Sequence, residues 1–203
     1  MAVITGIETL RGRVVVSIDG LEYARVAKAH YEKCPLHEGD DIDPEAWIDR
    51  IASAQFADAY EAALTSLDYA ARSAKEIAST LRRKGFVEPA VEATVSRLRE
   101  NGLINDAAFA RRLAENQRQK PVGVYALKRK LRSKGISEDD AEAALDTFDD
   151  DQQREACLTA ARGLWRKYAD LPRREGRAKL SQALARRGFG WDAIESAVDA
   201  LTE

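Results

Sequence analysis

One block recurs three times along this chain: Leu81-Arg82-Arg83-Lys84-Gly85-Phe86, Leu131-Arg132-Ser133-Lys134-Gly135-Ile136 and Leu184-Ala185-Arg186-Arg187-Gly188-Phe189. Its glycines stand 50 and 53 residues apart, and self-similarity at such a period marks one small unit copied along the chain. Aligning the glycines superposes Ile77, Leu127 and Leu180 upstream. Downstream it superposes Val91, Ala141 and Ile194, then Val95, Leu145 and Val198, then Leu98, Phe148 and Leu201. Every column is apolar, and the steps of four and three residues trace the stripe of an amphipathic helix. Arrays of this kind present extended surfaces, which points to binding before catalysis.

Each repeated glycine follows a basic residue and precedes an apolar one, as where a helix stops on glycine in the left-handed conformation. Pro89 suits a first helical position, and Ser137 with Asp140 resembles a capping box with the shorter carboxylate. A further helix precedes each pair, its apolar face supplied by Phe56, Tyr60, Leu64 and Leu67 in the first unit, Phe109 and Leu113 in the second, and Leu158, Ala161, Trp165 and Tyr168 in the third. The chain is therefore predicted to be mainly α: three tandem three-helix repeats over residues 54–104, 105–150 and 151–203, packed into an elongated curved body.

Residues 1–53 read differently. Val3 to Leu10, Arg13 to Ile18 and Leu21 to Ala27 are rich in Val, Ile, Thr and Tyr, and Asp19-Gly20 is a tight-turn signal, so a small antiparallel β-hairpin segment is predicted. Asp43-Pro44-Glu45 then opens a short helix through Trp47, Ile48 and Ile51. The segment is expected to be an appendage whose edge strands pair with or lie against the first repeat.

With 203 residues, 45% hydrophobic and 33% charged, the chain has the composition of a soluble protein. No apolar run nears the ~20 residues of a membrane span, and no basic-then-apolar leader opens the chain, so the cytoplasm is the expected location. Cys34 and Cys157 fall in different segments and form no disulfide framework. His30, Cys34 and His37 match no common zinc spacing, and neither a nucleophile–histidine–acid set nor a phosphate-cradling glycine loop is present. Neither a metal, a cofactor nor enzymatic activity is expected. Trp47, Trp165 and Trp191 are read as core anchors, with one exposed tryptophan kept open as a stacking or interface residue.

The net charge of −2 conceals segregation. From Arg72 to Lys134 there are 16 Lys or Arg against 6 Asp or Glu, whereas Glu38–Asp49 and Glu138–Asp151 carry six and eight acids and no Lys or Arg. A basic middle between acidic blocks is the pattern of a localised anion-binding face. Lys84, Lys134 and Arg187 are explained by helix C-termini, where cations are favoured. Lys128, Arg129, Lys130 and Arg132 begin near mid-helix around Val124, Leu127 and Leu131, so capping does not explain them and they are candidate contacts. Arg111, Arg112, Arg118 and Lys120 extend that face, Arg72, Lys75, Arg82 and Arg83 supply the first unit's share, and Arg173 and Arg174, in a loop of the third unit, form a satellite.

Ala71-Arg72-Ser73-Ala74-Lys75-Glu76-Ile77 leading to the first glycine block, then Asn101-Gly102-Leu103-Ile104-Asn105-Asp106-Ala107-Ala108-Phe109-Ala110 and the later Lys-Gly-Ile, resemble the RecX regulatory protein family over roughly residues 54–203. The β segment belongs to only part of that family. The resemblance implies a monomeric, non-enzymatic regulator of the RecA recombinase. Such a protein lies along the groove of the RecA filament on single-stranded DNA and restrains ATP hydrolysis and strand exchange. Two features depart from the pattern: Ala185 stands where Arg82 and Arg132 stand in the other repeats, and the acidic block after Glu138 is expected to face away from DNA or to meet a basic patch on protein. A stand-alone nucleic-acid-binding module, with basic second helices entering grooves as helix-turn-helix proteins do, is the alternative. A helical scaffold for another protein is the third reading.

Overall fold

The computed structural model describes residues 2–118 and 120–202. The chain forms two compact units, one running through Asn105 and the other starting at Asp106.

The first unit opens with strands β1 (Ala2–Leu10), β2 (Arg13–Ile18) and β3 (Leu21–Ala27). With the short β4 (Asp41–Ile42) they make an antiparallel sheet of order β3-β2-β1-β4. Two two-residue turns set its register. Asp19-Gly20 is the predicted one, and Arg11-Gly12 is a second; all four residues have positive φ, as the turn that matches strand twist demands. Ile4, Val14, Val16 and Val26 point into a core shared with Trp47, Ile51, Ala52, Val87 and Ala90. The β segment is thus no appendage, because its apolar face is buried against helices of the first repeat.

A one-turn α1 (Lys28–Tyr31) leads toward β4 and then α2 (Pro44–Tyr69), where Asp43 accepts bonds from the Glu45 and Ala46 amides and Pro44 opens the first turn. One helix of 26 residues replaces the two predicted. Its buried side turns along its length: Trp47 and Ile51 pack with the sheet, while Ala59 and Ala63 pack with Ile77, Leu81, Val91 and Leu98. A stripe that changes partners reads as two short periodic segments. The predicted face of Phe56, Tyr60, Leu64 and Leu67 is only half-buried and flanks the small alanines, which admit the helix carrying Val91 and Leu98 closely. Helices α3 (Ala74–Lys84) and α4 (Glu88–Glu100) complete the first repeat. Pro89 falls one place later than expected, in the first turn of α4. The α4 N-terminus is capped remotely, the Val87 amide donating to Oε1 of fully buried Gln55 at 2.8 Å.

The second unit holds α5 (Asp106–Arg118), α6 (Val124–Ser133) and α7 (Glu138–Leu145), followed by α8 (Asp150–Trp165), α9 (Arg173–Arg186) and α10 (Trp191–Thr202). The Ser137 hydroxyl accepts from the Asp140 amide and Asp149 opens α8, both as carboxylate-rich caps. Helix α7 is only eight residues long, so Leu145 ends it and Phe148, the last column of the repeat alignment, lies beyond it and is half-buried.

Gly85, Gly135 and Gly188 have φ of 94°, 77° and 82°. Around each, the same two bonds recur. The glycine amide donates to the carbonyl three residues back (Arg82, Arg132, Ala185), and the next amide donates to the carbonyl five residues back (Leu81, Leu131, Leu184). This is the Schellman stop, complete with its apolar closure of Leu81, Leu131 and Leu184 toward Phe86, Ile136 and Phe189. Those three leucines and Ile77 and Leu180 are fully buried, as is Leu127 to within 2%.

Within the second unit, the start of α6 is pressed onto the end of α9. The Gly123 amide donates to Arg187 O and the Tyr125 amide to Gly188 O, each at 3.0 Å. A β-carbon on Gly123 would lie 2.1 Å from Gly188 O. Gly123 has an ordinary φ of −78°, so its requirement is one of space, not of backbone conformation. Gly123→Ala is therefore expected to destabilise the chain by about 1–3 kcal/mol in chemical denaturation. Gly102→Ala, where φ is positive but the space is open, serves as the strain-only control. Equal stability of Gly123→Ala and the parent would refute the close approach.

Candidate partner-binding surface

The cations singled out in the sequence divide into those held by the fold and those left free. Arg82 ends α3 and reaches across the glycine turn to the start of α4, where its Nε lies 2.7 Å from Glu88 Oε2 and its Nη2 bonds the other carboxylate oxygen. Arg132 does the same in the second repeat, 3.1 Å from Glu138. The two pairs are equivalent: an arginine three residues before the glycine meets a glutamate three residues after it. The bidentate contact holds the Glu88 carboxyl below its usual range and raises the Arg82 guanidinium.

Lys128 joins the second latch. Its Nζ lies 2.5 Å from Glu138 and 3.3 Å from Glu142. Hydrogen bonding to Glu138 first, then Glu142, raises the Lys128 ammonium, and the same bond followed by that from Arg132 lowers Glu138. The acids at the head of α7 thus meet cations of α6 in the same chain. Arg129 is also engaged, its Nη2 donating to Arg186 O at 3.3 Å. In the first unit Arg13 makes the matching bond to Arg83 O at 2.6 Å. In both cases a guanidinium from a neighbouring element satisfies the carbonyl two residues before the turn glycine. Arg118 bonds Thr147 O and lies over the Phe148 ring, 5.7 Å from its centroid. Arg72 lies 3.9 Å from Glu76.

A second set has no such role. Lys75, Arg83, Arg111, Arg112, Lys120, Lys130, Arg173 and Arg174 are exposed, and none has an acid within ion-pair distance among the described residues. Arg173 and Arg174 lie in the first turn of α9, not in a loop. The helix macrodipole disfavours cations there, so helix stability does not account for them. Among the described residues, Lys130 is the one member of the α6 cluster left free.

Of the three tryptophans read as core anchors, Trp47 is fully buried and Trp165 half-buried, but Trp191 is 70% exposed, which makes it the exposed tryptophan kept open in the sequence. Tyr125, 59% exposed, is not among the residues singled out there. The repeat alignment carries a signal for Trp191, since it occupies the column of Glu88 and Glu138. Tyr125 carries none.

The candidate zinc residues are dispersed. His30 Nε2 lies 2.9 Å from Asp58, which this contact holds below the usual carboxylate range, and His37 is exposed. No group of three or more His, Cys, Asp or Glu is placed to hold a metal ion among the described residues. Burial pushes the Cys157 thiol up to about 11, so it is unreactive at neutral pH. No described helix is long and apolar enough to cross a membrane.

Comparison with known proteins gives one consistent answer. Models of the first, second and third RecX three-helix domains match residues 59–98, 105–145 and 150–198. The regulatory protein RecX of Limosilactobacillus reuteri is 34% identical over 98% of this chain and 76% of its own length, so the likeness extends into the β segment. That of Bacillus pumilus is 30% identical over 80% of this chain and 62% of its own length. A crystal structure of regulatory protein RecX superposes with a TM-score of 0.68 at 30% identity, covering 98% of this chain and all of that one. RecX from Lactobacillus salivarius gives 0.64 at 29% identity, over 73% of this chain and 97% of that one.

The latches predict an acid response. Glu88 and Glu138 are carboxylates with lowered folded-state values, so their stabilisation is present above the unfolded value and is lost as pH falls through the folded one. Urea unfolding across the acid range should show the Glu88→Gln, Glu138→Gln double variant losing less stability on acidification than the parent, the effect being modest because both pairs are exposed. Parallel pH profiles would show that the latches are not formed in solution.

Proposed function

The chain belongs to the RecX family of regulatory proteins, and on that premise we propose that it is a non-enzymatic regulator that binds the RecA filament on single-stranded DNA and restrains ATP hydrolysis and strand exchange. The reading rests most heavily on one observation: among the described residues, exposed cations without acidic partners occur in all three repeats, at Lys75 and Arg83, at Arg111, Arg112, Lys120 and Lys130, and at Arg173 and Arg174. A solvated, purely structural surface gains nothing from leaving these unpaired when the same chain pairs Lys128, Arg132 and Arg82. A nucleoprotein filament offers repeated anionic and protein surfaces, and tandem units offer repeated contacts.

Regulation by binding suits the chemistry available. Among the described residues, the cavity bordered by Val124, Tyr125 and Phe148 and the one bordered by Arg118, Lys120 and Glu155 are open, and neither gathers a nucleophile, a base and an orienting acid. We place the protein in the cytoplasm as a monomer, beside the recombinase and DNA it acts on.

The test is single-stranded-DNA-dependent ATP hydrolysis by RecA from the same organism, followed as this protein is added from far below to above the recombinase concentration. Inhibition at substoichiometric amounts is expected. Lys130→Glu with Arg173→Glu and Arg174→Glu should shift the inhibition curve by about tenfold or more without lowering thermal stability, because exposed unpaired substitutions cost little. Reversing Lys128 is a poorer probe, since it would set a third carboxylate against Glu138 and Glu142. Unchanged ATP hydrolysis together with tight, salt-sensitive binding to DNA alone would instead favour a stand-alone nucleic-acid-binding module.

A further inference from the structure

The third repeat lacks the latch, and both halves of the pair are replaced together: Ala185 stands for the arginine and Trp191 for the glutamate. What takes its place is an indole in the first turn of α10, 70% exposed. Against the residue that precedes it stands Tyr125 of α6, 59% exposed. Its Cε2 is 3.6 Å from where a β-carbon on Gly190 would be, the residue preceding Trp191. Its amide is bonded to Gly188 O. One helical turn further along α6, Arg129 donates to Arg186 O. Arg186, the last residue of α9, and Arg187, its C-cap, are exposed, and no acid lies within ion-pair distance of Arg129, Arg186 or Arg187 among the described residues. Asp192, adjoining Trp191, lines a cavity with Asp150 and Arg154.

We propose that the seam of α6, α9 and α10 is a stacking platform for the bases of a single strand, with Trp191 and Tyr125 as the stacking faces and Arg129, Arg186 and Arg187 as phosphate contacts. The proposal deepens the filament-binding reading and rests on it. Two exposed aromatic side chains at one seam do nothing for the core, and three arginines there without an acid in reach among the described residues are favoured by an anion. A single strand supplies the missing partner for both: a π-face on every base and a phosphate on every nucleotide, recognised without regard to sequence. Guanidinium suits this role because its planar fork pairs phosphate oxygens two at a time. Arg129 commits one nitrogen to Arg186 O and keeps its remaining donors for a ligand.

The test uses the full chain and a single strand carrying 5-iodouracil, which cross-links to stacked aromatic side chains on irradiation, presented both bare and inside a RecA filament. Cross-linked peptides containing Trp191 or Tyr125 are expected with at least one of the two. Trp191→Ala with Tyr125→Ala should weaken binding to that same species about tenfold while leaving thermal unfolding near the parent's. Absence of both cross-links from both species, or undiminished binding by the double variant, would overturn the platform. The two readings fail separately. If ATP hydrolysis by RecA is still inhibited and the variant loses that inhibition without any cross-link, the seam meets protein instead of bases, and only the platform falls. If there is neither inhibition nor cross-linking, the filament reading falls with it.

Discussion

Everything distinctive in this protein depends on a helix stop that only glycine makes without strain. At φ near +80° an L-residue with a β-carbon pays about 1–2 kcal/mol, and the chain places glycine there three times. The two backbone bonds around each glycine fix the exit angle of the following segment, and the buried leucine three residues before the helix cap is pinned beneath the apolar residue after the glycine. Because the turn is fixed, side chains equally far before and after it meet. That single geometric fact explains why Arg82 finds Glu88 and Arg132 finds Glu138.

The turn also decides which charges are available. Cations on the turn side of α3 and α6 are consumed by acids at the head of the next helix, and the carbonyls left bare at the end of α3 and α9 draw in Arg13 and Arg129. What remains exposed and unpaired is the inventory a partner can use. A raw count of basic residues between Arg72 and Lys134 overstates that inventory, because several of them serve the fold. The third repeat abandons the latch, exposes an indole, and, among the described residues, leaves Arg186 and Arg187 at the end of α9 without an acid in reach.

The repeat architecture was legible because its signals are local. The glycine stops, the Asp19-Gly20 turn, the Asp43-Pro44 cap and the apolar columns each lie within a few residues of what they determine. Four matters were not. The continuity of α2 is hidden because its buried side rotates from sheet to helices, so that Ala59 and Ala63 outrank the larger Tyr60 and Leu64. The fate of Lys128 depends on α7 folding back, which charge blocks read along the chain cannot reveal. Gly123 resembles any loop glycine until Gly188 is brought against it, and Gln55 resembles a surface residue until its amide is found capping α4. Tertiary neighbours, not local propensity, settle all of these.

The chain belongs to a family of regulatory proteins, and the proposal that it acts by binding presupposes that the three glycine turns are rigid enough to hold the surface in one arrangement. Residue-resolved amide hydrogen exchange on the full chain measures this directly. The amides of Gly85, Phe86, Gly135, Ile136, Gly188 and Phe189 should exchange as slowly as those in the middle of the helices they join, since each is bonded within the stop. Exchange at the rate of open loops at these six positions would mean that the turns do not fix the helices, and the account of the latches and of the surface they leave exposed would be wrong.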